Sequence, residues 1–497
     1  MHITIVYNEP LPSRYDRIGE GVAVASVIES VQAVKQAIAS KGHDVTLIGL
    51  QPPFPEAVAK LKEIKADVIF NLFEGFQGKP ETEWLIAKAI EALGKPRTGS
   101  PSEILALCLN KAKTKELLAS KGIPTAPYRL MGSEDMDVGK LTFPLIVKPL
   151  KEDASHGISS KSVVKNIDEL RDQVTFIEKS YGSPVLVEEF LDGLEFNASV
   201  LGGSKPTVLP PTQIYFSDDM PGPKILTYSA KWTPDDPCYL ESRPVCPAPI
   251  SEELKAKIEK LAIAAYKAVG SPSYARVDMR ANEQGHLYVL EVNSNPDLSP
   301  GAGMELQASA AGIQYSDLIE KIIGMAMKEH FLDQIEIRRL RHADVEKLAA
   351  LTDSTGFFYP EEITVAKELL TESATKGEGS GYFVYVAESG DNLVGYVCFG
   401  QSPLTRGTWD IYWIATDPDH QGAGIGTRLL RKAEHEISRK GGRLIVVETS
   451  SRELYRPTRS FYLSRGYREM AIIPDFYDVG DGKVIYGKAM AKRGAAP

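Results

Sequence analysis

The first hundred residues alternate short apolar runs with longer segments whose apolar residues recur at helical spacing. The runs 3–7, 45–48 and 68–72 have the length of strands, and segments 27–39, 54–64 and 81–93 have the periodicity of helices. Strands that alternate with helices are typical of parallel βαβ units. We therefore predict a parallel α/β subdomain over residues 1–100.

From residue 124 onwards strand-like runs dominate and helical segments become fewer. The pattern predicts helices near 168–179 and 251–269, a closing helix at 316–330, and strands at 145–148, 162–164, 185–190, 196–201, 274–280 and 286–292. Such a pattern indicates an α+β region with mostly antiparallel pairing. The first domain is predicted to span 1–331, divided into 1–100 and 101–331.

A new strand begins at residue 335, so we place a domain boundary at 331–334. The second domain, 335–492, is predicted to be mixed α/β, with helices at 345–351, 365–375, 426–440 and 457–465 and strands at 383–388, 393–399, 409–416 and 444–448.

Composition and charge exclude some classes of function for this chain. The 497 residues are 43% hydrophobic and 25% charged, as in ordinary globular proteins with more than one core. A net charge of −9 argues against a general nucleic-acid binder, which needs a surplus of Lys and Arg. No run approaches the length of a membrane span or resembles a signal peptide, and the four cysteines are scattered. We expect a cytoplasmic protein without nucleic-acid or membrane partners.

Hard oxygen donors lie at the ends of two neighbouring strands in the first domain. Asp278 lies in one strand and Glu291 and Asn293 in the next, with a turn at Gly285 between them. Antiparallel pairing would bring these side chains together, and magnesium prefers such ligands. The alternative is a set of surface charges, which the apolar neighbours disfavour.

Cationic and flexible elements suited to a nucleotide precede this pair. Lys148 ends an apolar strand and is followed by the loop 152–157, whose backbone N–H groups could cover phosphates or could simply form a solvated surface loop. The strand 185–191 ends at a hinge where backbone groups can meet adenine, and Glu195 is placed to meet ribose hydroxyls.

The order of these motifs, together with segments 98–100 and 110–115, resembles the ATP-grasp superfamily and in particular the D-alanine–D-alanine ligases over residues 1–330. The resemblance implies ATP-dependent joining of a carboxylate to an amine through an acyl phosphate, with magnesium, or manganese in its place. It also implies roles for individual residues: Lys111, Lys148 and Ser155 at the phosphates, Glu188, Glu189, Phe190 and Leu191 at adenine, Glu195 at ribose, Asp278, Glu291 and Asn293 at the metal, Arg276 at the oxyanion and Lys231 at the γ-phosphate.

The chain differs from the family pattern where the substrate is chosen. Ala154 replaces a serine of the cover loop, and Glu74–Gly75 replaces a histidine–glycine pair. Segment 297–303 replaces a Ser-Leu pair that binds the substrate carboxylate. The sequence therefore predicts the ligase chemistry and leaves the amino acid, peptide or carboxylate substrates open.

A glycine-rich turn in the second domain, 421–426, follows strand 409–416 and opens a helix. Free N–H groups at a helix start attract phosphate, although loops favour glycine in any case. With strand 444–448 and segment 459–467, this pattern resembles the GNAT acetyltransferases over 335–492. The resemblance implies acetyl-CoA as donor, with Gln421, Gly422, Gly424 and Gly426 at the pyrophosphate, Ile414 and Thr416 at the pantetheine arm, and Tyr462 as proton donor to the CoA thiolate.

Some assignments in the second domain stay open. Tyr462 could instead be a core aromatic residue. The pattern does not fix the base that deprotonates the acceptor amine: Asp410 and Glu448 are the candidates, and either could simply be structural. The sequence as a whole predicts an ATP-grasp fold followed by a GNAT domain, in a bifunctional enzyme with small-molecule substrates. The alternatives are an acetyltransferase with an ATP-binding regulatory module, and a ligase that acts on a carrier protein. The oligomeric state is open, with a homodimer as one option.

Overall fold

The computed structural model describes residues 1–22, 26–182, 184–203 and 206–490. The chain divides into two compact units, Met1–His330 and Phe331–Pro497. Residues 491 and 492, the end of the predicted second domain, lie outside the described residues. No helix in the described ranges has the length and apolar character needed to cross a membrane.

The first unit begins with a parallel sheet of three strands in the order β2-β1-β3. All five residues of β3 are buried because helices cover the sheet, which is the environment that makes parallel strands uniformly apolar. The bounds are β1 His2–Asn8, β2 Asp44–Leu50 and β3 Val68–Leu72, with helices α1 Val27–Ser40, α2 Phe54–Lys62 and α3 Glu81–Glu91. The predicted βαβ arrangement is confirmed.

A four-stranded antiparallel sheet follows, in the order β4-β7-β5-β6. Its strands are β4 Tyr128–Met131, β5 Leu145–Pro149, β6 Val163–Val164 and β7 Val185–Glu189, and its helices are α4 Ser102–Leu109, α5 Lys111–Ser120 and α6 Ile167–Tyr181. Asn110 caps α5 by accepting a hydrogen bond from the backbone of Lys113 at 3.1 Å. This cap places Lys111 at the first position of the helix.

The second antiparallel sheet of the first unit runs β11-β10-β8-β12-β13, with β9 beside β8. The strands are β8 Glu195–Leu201, β9 Thr207–Val208, β10 Thr212–Phe216, β11 Ser242–Val245, β12 Tyr274–Ala281 and β13 Leu287–Asn293. The helices are α7 Tyr228–Trp232, α8 Pro237–Leu240, α9 Glu252–Val269, α10 Gly303–Ala310 and α11 Tyr315–Asp333. One face of the sheet packs on α9 through Phe196, Val277, Ile258 and Tyr266. Packing on one side leaves the polar residues of β12 and β13 on the other.

The second unit is built on a seven-stranded sheet in the order β14-β15-β16-β17-β18-β20-β19. Its strands are β14 Ile335–Arg339, β15 Tyr382–Ser389, β16 Asn392–Gln401, β17 Thr408–Thr416, β18 Leu444–Ser450, β19 Arg468–Asp478 and β20 Asp481–Ala489. Its helices are α12 Val345–Ser354, α13 Pro360–Lys376, α14 Ile425–Arg439 and α15 Arg456–Leu463. The pairing is antiparallel except between β17 and β18. Helix α14 packs on the sheet through Leu429, Ala433 and Ile437, which are fully buried.

Candidate functional site

Strands β12 and β13 bring the predicted metal ligands together. Asp278 and Glu291 lie opposite one another in the ladder, and a register shift follows directly at Asp278/Met279. The amide of Asn293 lies 3.0 Å from Oδ2 of Asp278 and 3.4 Å from Oε1 of Glu291. Three side chains with oxygen donors therefore converge at one end of the hairpin.

Two cations of the same set neutralise these carboxylates. Arg276 donates two hydrogen bonds to Asp278, at 2.7 and 2.8 Å, and Nζ of Lys111 lies 2.8 Å from Oε2 of Glu291 and 3.2 Å from Oδ1 of Asp153. Burial opposes ionisation of Glu291, but Lys111 outweighs it and lowers the pKa of that carboxyl. The pKa of Lys111 is raised because Glu291 and Asp153 outweigh its burial. Glu291 and Lys111 therefore hold each other in their charged forms.

The donor set fits a hard divalent cation by its chemistry. Asp278, Glu291 and Asn293 offer only oxygen ligands, as magnesium requires. Elsewhere, the described residues contain no group of three or more His, Cys, Asp and Glu side chains arranged to hold a metal ion. The set at the β12–β13 hairpin contains two carboxylates and one amide.

Lys148 and Glu188 form the second charged cluster of the first unit. Nζ of Lys148 lies 2.8 Å from Oε2 of Glu188, and Nζ of Lys115 lies 2.7 Å from Oε1. Lys115 and Glu188 are each 1% exposed. Burial raises the pKa of Glu188, but the two lysines outweigh it and lower the pKa to about 2. Lys115 was missed in the sequence because a lysine inside an amphipathic helix looks solvated.

The hinge after β7 is tied down by its backbone. The N–H of Glu189 donates to the carbonyl of Pro127 and the N–H of Phe190 to the carbonyl of Pro144, both at 3.0 Å. The carbonyl of Leu191 accepts a hydrogen bond from Nε of Arg280 at 2.5 Å, and Nη1 of the same arginine lies 2.6 Å from Glu195. Arg280, which the sequence analysis did not select, thus connects the adenine and ribose candidates.

The cover loop 152–157 is anchored at both ends rather than solvated. Glu152 is buried and accepts hydrogen bonds from Arg14 and from the hydroxyl of Tyr15, the latter at 2.5 Å. Ala154 and Ser155 have positive φ values of 54° and 60°. The hydroxyl of Ser155 donates to the carbonyl of Leu226 at 2.9 Å, so the side chain of Ser155 faces Leu226. The backbone of Ser155 is the part that can face the concave side of the loop.

The candidate γ-phosphate lysine lies on the short helix α7. Thr227 caps this helix by accepting from the N–H of Ala230 at 3.1 Å, and Nε1 of Trp232 donates to the carbonyl of Ala154 at 3.1 Å. Burial and the neighbouring Arg276 lower the pKa of Lys231. Helix α7 therefore holds Lys231 near Arg276, and Trp232 attaches the helix to the cover loop.

In the second unit, glycines shape the turn before α14. Gly424 precedes the helix with a φ of +114°, and Gly422 has a φ of +74°. The N–H of Thr427 donates to the carbonyl of Gly424 at 3.0 Å, and the helix dipole adds positive potential at the N–H groups that begin the helix. Nε of Arg465 donates to Thr427 of this turn at 3.1 Å. Arg465, a residue that sequence reasoning missed, adds a cation beside Gly426.

Strands β17 and β18 are paired only over their first halves. Their parallel pairing covers Thr408–Ile411 and Leu444–Val447. On the other edge of β17 a register shift between Cys398 and Phe399 of β16 leaves Tyr412 as an extra residue. The segment that contains Ile414 and Thr416 thus has one strand edge turned toward the gap, as a pantetheine arm would need.

Tyr462 lies in an aromatic cluster with Phe461, Tyr467 and Tyr486 and is 2% exposed. Burial raises its pKa, so the phenol stays protonated.

Asp410 accepts a hydrogen bond from Ser402, and its pKa is raised by burial and by the neighbouring Glu448. Glu448 lies 2.7 Å from Lys483 and is half-exposed. The two base candidates are neighbours.

Comparisons with known proteins relate the chain to two families. A family profile described as "D-ala D-ala ligase C-terminus" matches residues 117–324, and one described as "Acetyltransferase (GNAT) domain" matches residues 380–469. Uncharacterized protein y4sG of Sinorhizobium fredii is 33% identical over 325 residues, which cover 65% of this chain and 91% of the relative. D-alanine–D-alanine ligase B of Chromobacterium violaceum is 32% identical over 294 residues, which cover 58% and 89%.

Among solved structures, the D-alanine–D-alanine ligase of Bacillus anthracis complexed with ATP is 25% identical, with a TM-score of 0.52, and the match covers 67% of this chain and 99% of that one. The chain belongs to the D-alanine–D-alanine ligase family and carries a GNAT acetyltransferase domain. It is a bifunctional enzyme with ligase and acetyltransferase activities. The predicted ATP-grasp and GNAT fold class is confirmed.

Proposed function

We propose that the first unit joins a carboxylate to an amine through an acyl phosphate made from ATP, and that the second unit transfers an acetyl group from acetyl-CoA to an amine. The observation that carries the ligase proposal is the convergence of Asp278, Glu291 and Asn293 beside Lys111 and Arg276. A bound magnesium, or manganese, held by the first three residues would neutralise phosphate charge.

The chain's own residues supply positioning and charge. Lys111, Lys148 and Lys231 bind the phosphates, with the backbone of Ser155 covering them, and Arg276 stabilises the oxyanion that forms when the amine attacks the acyl phosphate and phosphate leaves. The hinge residues Glu188, Glu189, Phe190 and Leu191 bind adenine, and Glu195, fixed by Arg280, binds the ribose. Phosphate binding requires Lys111 and Lys148 to exchange their present carboxylate partners for phosphate oxygens.

In the second unit, the pyrophosphate of CoA binds at Gln421, Gly422, Gly424 and Gly426, and the pantetheine arm pairs with the backbone of Ile414 and Thr416. Tyr462 protonates the departing thiolate, and Asp410 or Glu448 accepts the proton of the amine. The open edge of β17 supports this placement. The names of the relatives suggest amino acids or dipeptides as ligase substrates, and both units act on the same small metabolite in the cytoplasm.

The test is ADP release by the purified chain with Mg-ATP across single and paired amino acids and small carboxylic acids, with mass spectrometry of the products. We expect ADP release that depends on an amine and yields a condensed product, which acetyl-CoA then acetylates. ATP binding without ADP release for any compound, lost in Lys148→Ala, would instead favour a regulatory module or a carrier-protein substrate.

A further inference from the structure

Three carboxylates lie at the substrate end of the ligase site, beyond the metal-binding hairpin. The loop after β3 packs on the start of α3, where the N–H of Phe76 donates to Thr82 at 2.7 Å, and it places Glu74 beside Glu83. Glu83 accepts a hydrogen bond from the amide of Asn295 at 2.9 Å. Two residues further along is Asp297. Hydrogen bonds thus connect the acidic group to the segment that follows Asn293.

These carboxylates are fixed in place. Asp297 accepts hydrogen bonds from the backbone and hydroxyl of Ser299, at 2.8 and 2.7 Å, and from the hydroxyl of Ser30 at 3.2 Å. The backbone N–H of Glu74 donates to Asn8 at 2.9 Å. Ser30 and Ser299 therefore hold the carboxylate of Asp297, and Asn8 holds the backbone of Glu74.

No cation of the described residues forms an ion pair with the acidic group, and Arg276 acts on Asp297 only from a longer distance. Lys111 and Arg276 are paired with Asp153, Glu291 and Asp278. Across residues 1–22, 26–182, 184–203 and 206–490, no Lys, Arg or His forms an ion pair with Glu74, Glu83 or Asp297. Burial and the neighbouring carboxylates of Asp297 and Glu83 raise the pKa of Glu74 to about 8.

An unpartnered hydroxyl points to the same region. Tyr274 lies on β12 two positions before Arg276, and alternate residues of a strand share a face, so its side chain lies on the face that carries Arg276 and Asp278. Its hydroxyl is fully buried and has no hydrogen-bond partner among the described residues. Glu83 is the charged group that raises its pKa most, after burial itself. An unsatisfied donor and three carboxylates without an ion-pair partner in the described part of the chain are costly unless a ligand completes them.

We infer that one of the two ligase substrates carries a second cationic group, an ammonium or guanidinium, that binds between Glu74, Glu83 and Asp297. This inference rests on the proposed ligase function. Diamino acids and diamines fit this chemistry, since the primary amine or carboxylate reacts at the phosphate end while the second cation occupies the acidic group. Glu74 stands where the family has a histidine, and segment 297–303 stands where the family has residues that bind the substrate carboxylate. Both replacements make the site more negative.

The test measures ADP release with each cationic compound beside its neutral isostere: lysine against norleucine, arginine against citrulline, and 1,4-diaminobutane against butylamine. We expect kcat/KM to be about tenfold higher or more for the cationic member, the size expected from one charge-assisted hydrogen bond. Glu74→Gln and Glu83→Gln each raise KM for the cationic substrate by a similar factor and leave KM for ATP unchanged. Glu103→Gln, an exposed glutamate at the start of α4, changes neither.

Equal use of cationic and neutral isosteres would overturn the inference and leave the ligase function standing. A loss in Glu74→Gln that is the same for both members of a pair would do so too. If no compound of any class supports ADP release, the proposed ligase function fails and the inference fails with it. Should either variant not fold, the isostere comparison on the unaltered chain decides the matter alone.

Discussion

Nζ of Lys111 lies 2.8 Å from Oε2 of Glu291, so a candidate phosphate-binding lysine and a candidate metal ligand neutralise each other. Lys111 is the first residue of α5, and Glu291 lies two residues before the end of β13. The ion pair keeps both groups charged before the nucleotide arrives. Binding of Mg-ATP would replace this single pair with two new ones, lysine to phosphate and glutamate to metal.

Replacing this lysine tests the ligase alone. We expect Lys111→Met to lower kcat for ADP release by about a hundredfold or more, because one cation that stabilises the phosphate charge is removed. The rate of CoA release from acetyl-CoA stays unchanged, as the residue belongs to the first unit. Lys113→Met, an exposed position on the same helix, is the control. Equal losses in both variants would argue against a specific role.

The buried cluster around Glu188 predicts a stability effect. In Lys115→Met, Oε1 of Glu188 loses its partner at 2.7 Å while its environment stays dry. Removing one member of a buried pair costs about 3–5 kcal/mol. Urea unfolding followed by the fluorescence of the first unit measures this free energy. Lys121→Met, exposed just beyond the same helix, should change it little, and a similar loss there would contradict the explanation.

Glu188 also predicts a pH dependence. Although burial opposes it, pairing with Lys115 and Lys148 lowers the pKa of Glu188 from 4.5 to about 2. A depressed pKa in the folded state means that this carboxylate stabilises the protein above pH 4.5 and that the contribution is lost as pH falls toward 2. The free energy of unfolding of the natural chain should therefore approach that of Glu188→Gln over this interval. A constant difference between the two would refute the assignment.

The charged hairpin could be foreseen because both of its strands are apolar and a glycine turn joins them. The pairing of Asp278 with Glu291 follows from alternation in an antiparallel ladder. The short strands β10 and β11 gave no comparable signal, since three of the four residues of β11, Ser242, Arg243 and Pro244, are polar or proline. They form because β8 offers a free edge, a tertiary effect that no local pattern contains.

The partners of the site residues were harder to predict. Lys115 reaches Glu188 because α5 packs beside β7, and Arg280 reaches Glu195 because the two lie opposite one another on the adjacent strands β12 and β8. Contacts between distant segments leave no periodic signal in the sequence. The acidic group had a partial signal, because Glu74 and Asp297 break the family pattern, but Glu83 lies on an ordinary amphipathic helix. Only the fold brings the three together.

The glycine turn of the acetyltransferase gives a separate prediction. At Gly424 the φ of +114° strains any other residue, and an added Cβ would lie 3.4 Å from Leu332. We expect Gly424→Ala to raise KM for acetyl-CoA about tenfold, because strain of 1–2 kcal/mol shifts the N–H groups of the turn. Gly480→Ala imposes similar strain at the β19–β20 turn, where nothing lies within 4 Å, and should leave KM unchanged. An equal rise in both variants would mean general destabilisation.

Substitution can separate the two possible roles of Tyr462, proton donor and core aromatic residue. If its hydroxyl protonates the leaving thiolate, Tyr462→Phe keeps the aromatic packing against Tyr467 and Tyr486 but lowers kcat for acetyl transfer by about a hundredfold, within the range for general acid catalysis. KM for acetyl-CoA should not change. Because burial raises the pKa of Tyr462, the natural rate should not fall through loss of this proton near neutral pH.

The matched control is Tyr486→Phe, which removes a hydroxyl from the same aromatic cluster, on strand β20. It should leave both kcat and KM unchanged while its thermal unfolding resembles that of Tyr462→Phe. If the two variants lose activity equally, Tyr462 is a core aromatic residue and the proton comes from another group. A kcat effect confined to Tyr462→Phe assigns the hydroxyl to the reaction, because packing is the same in both.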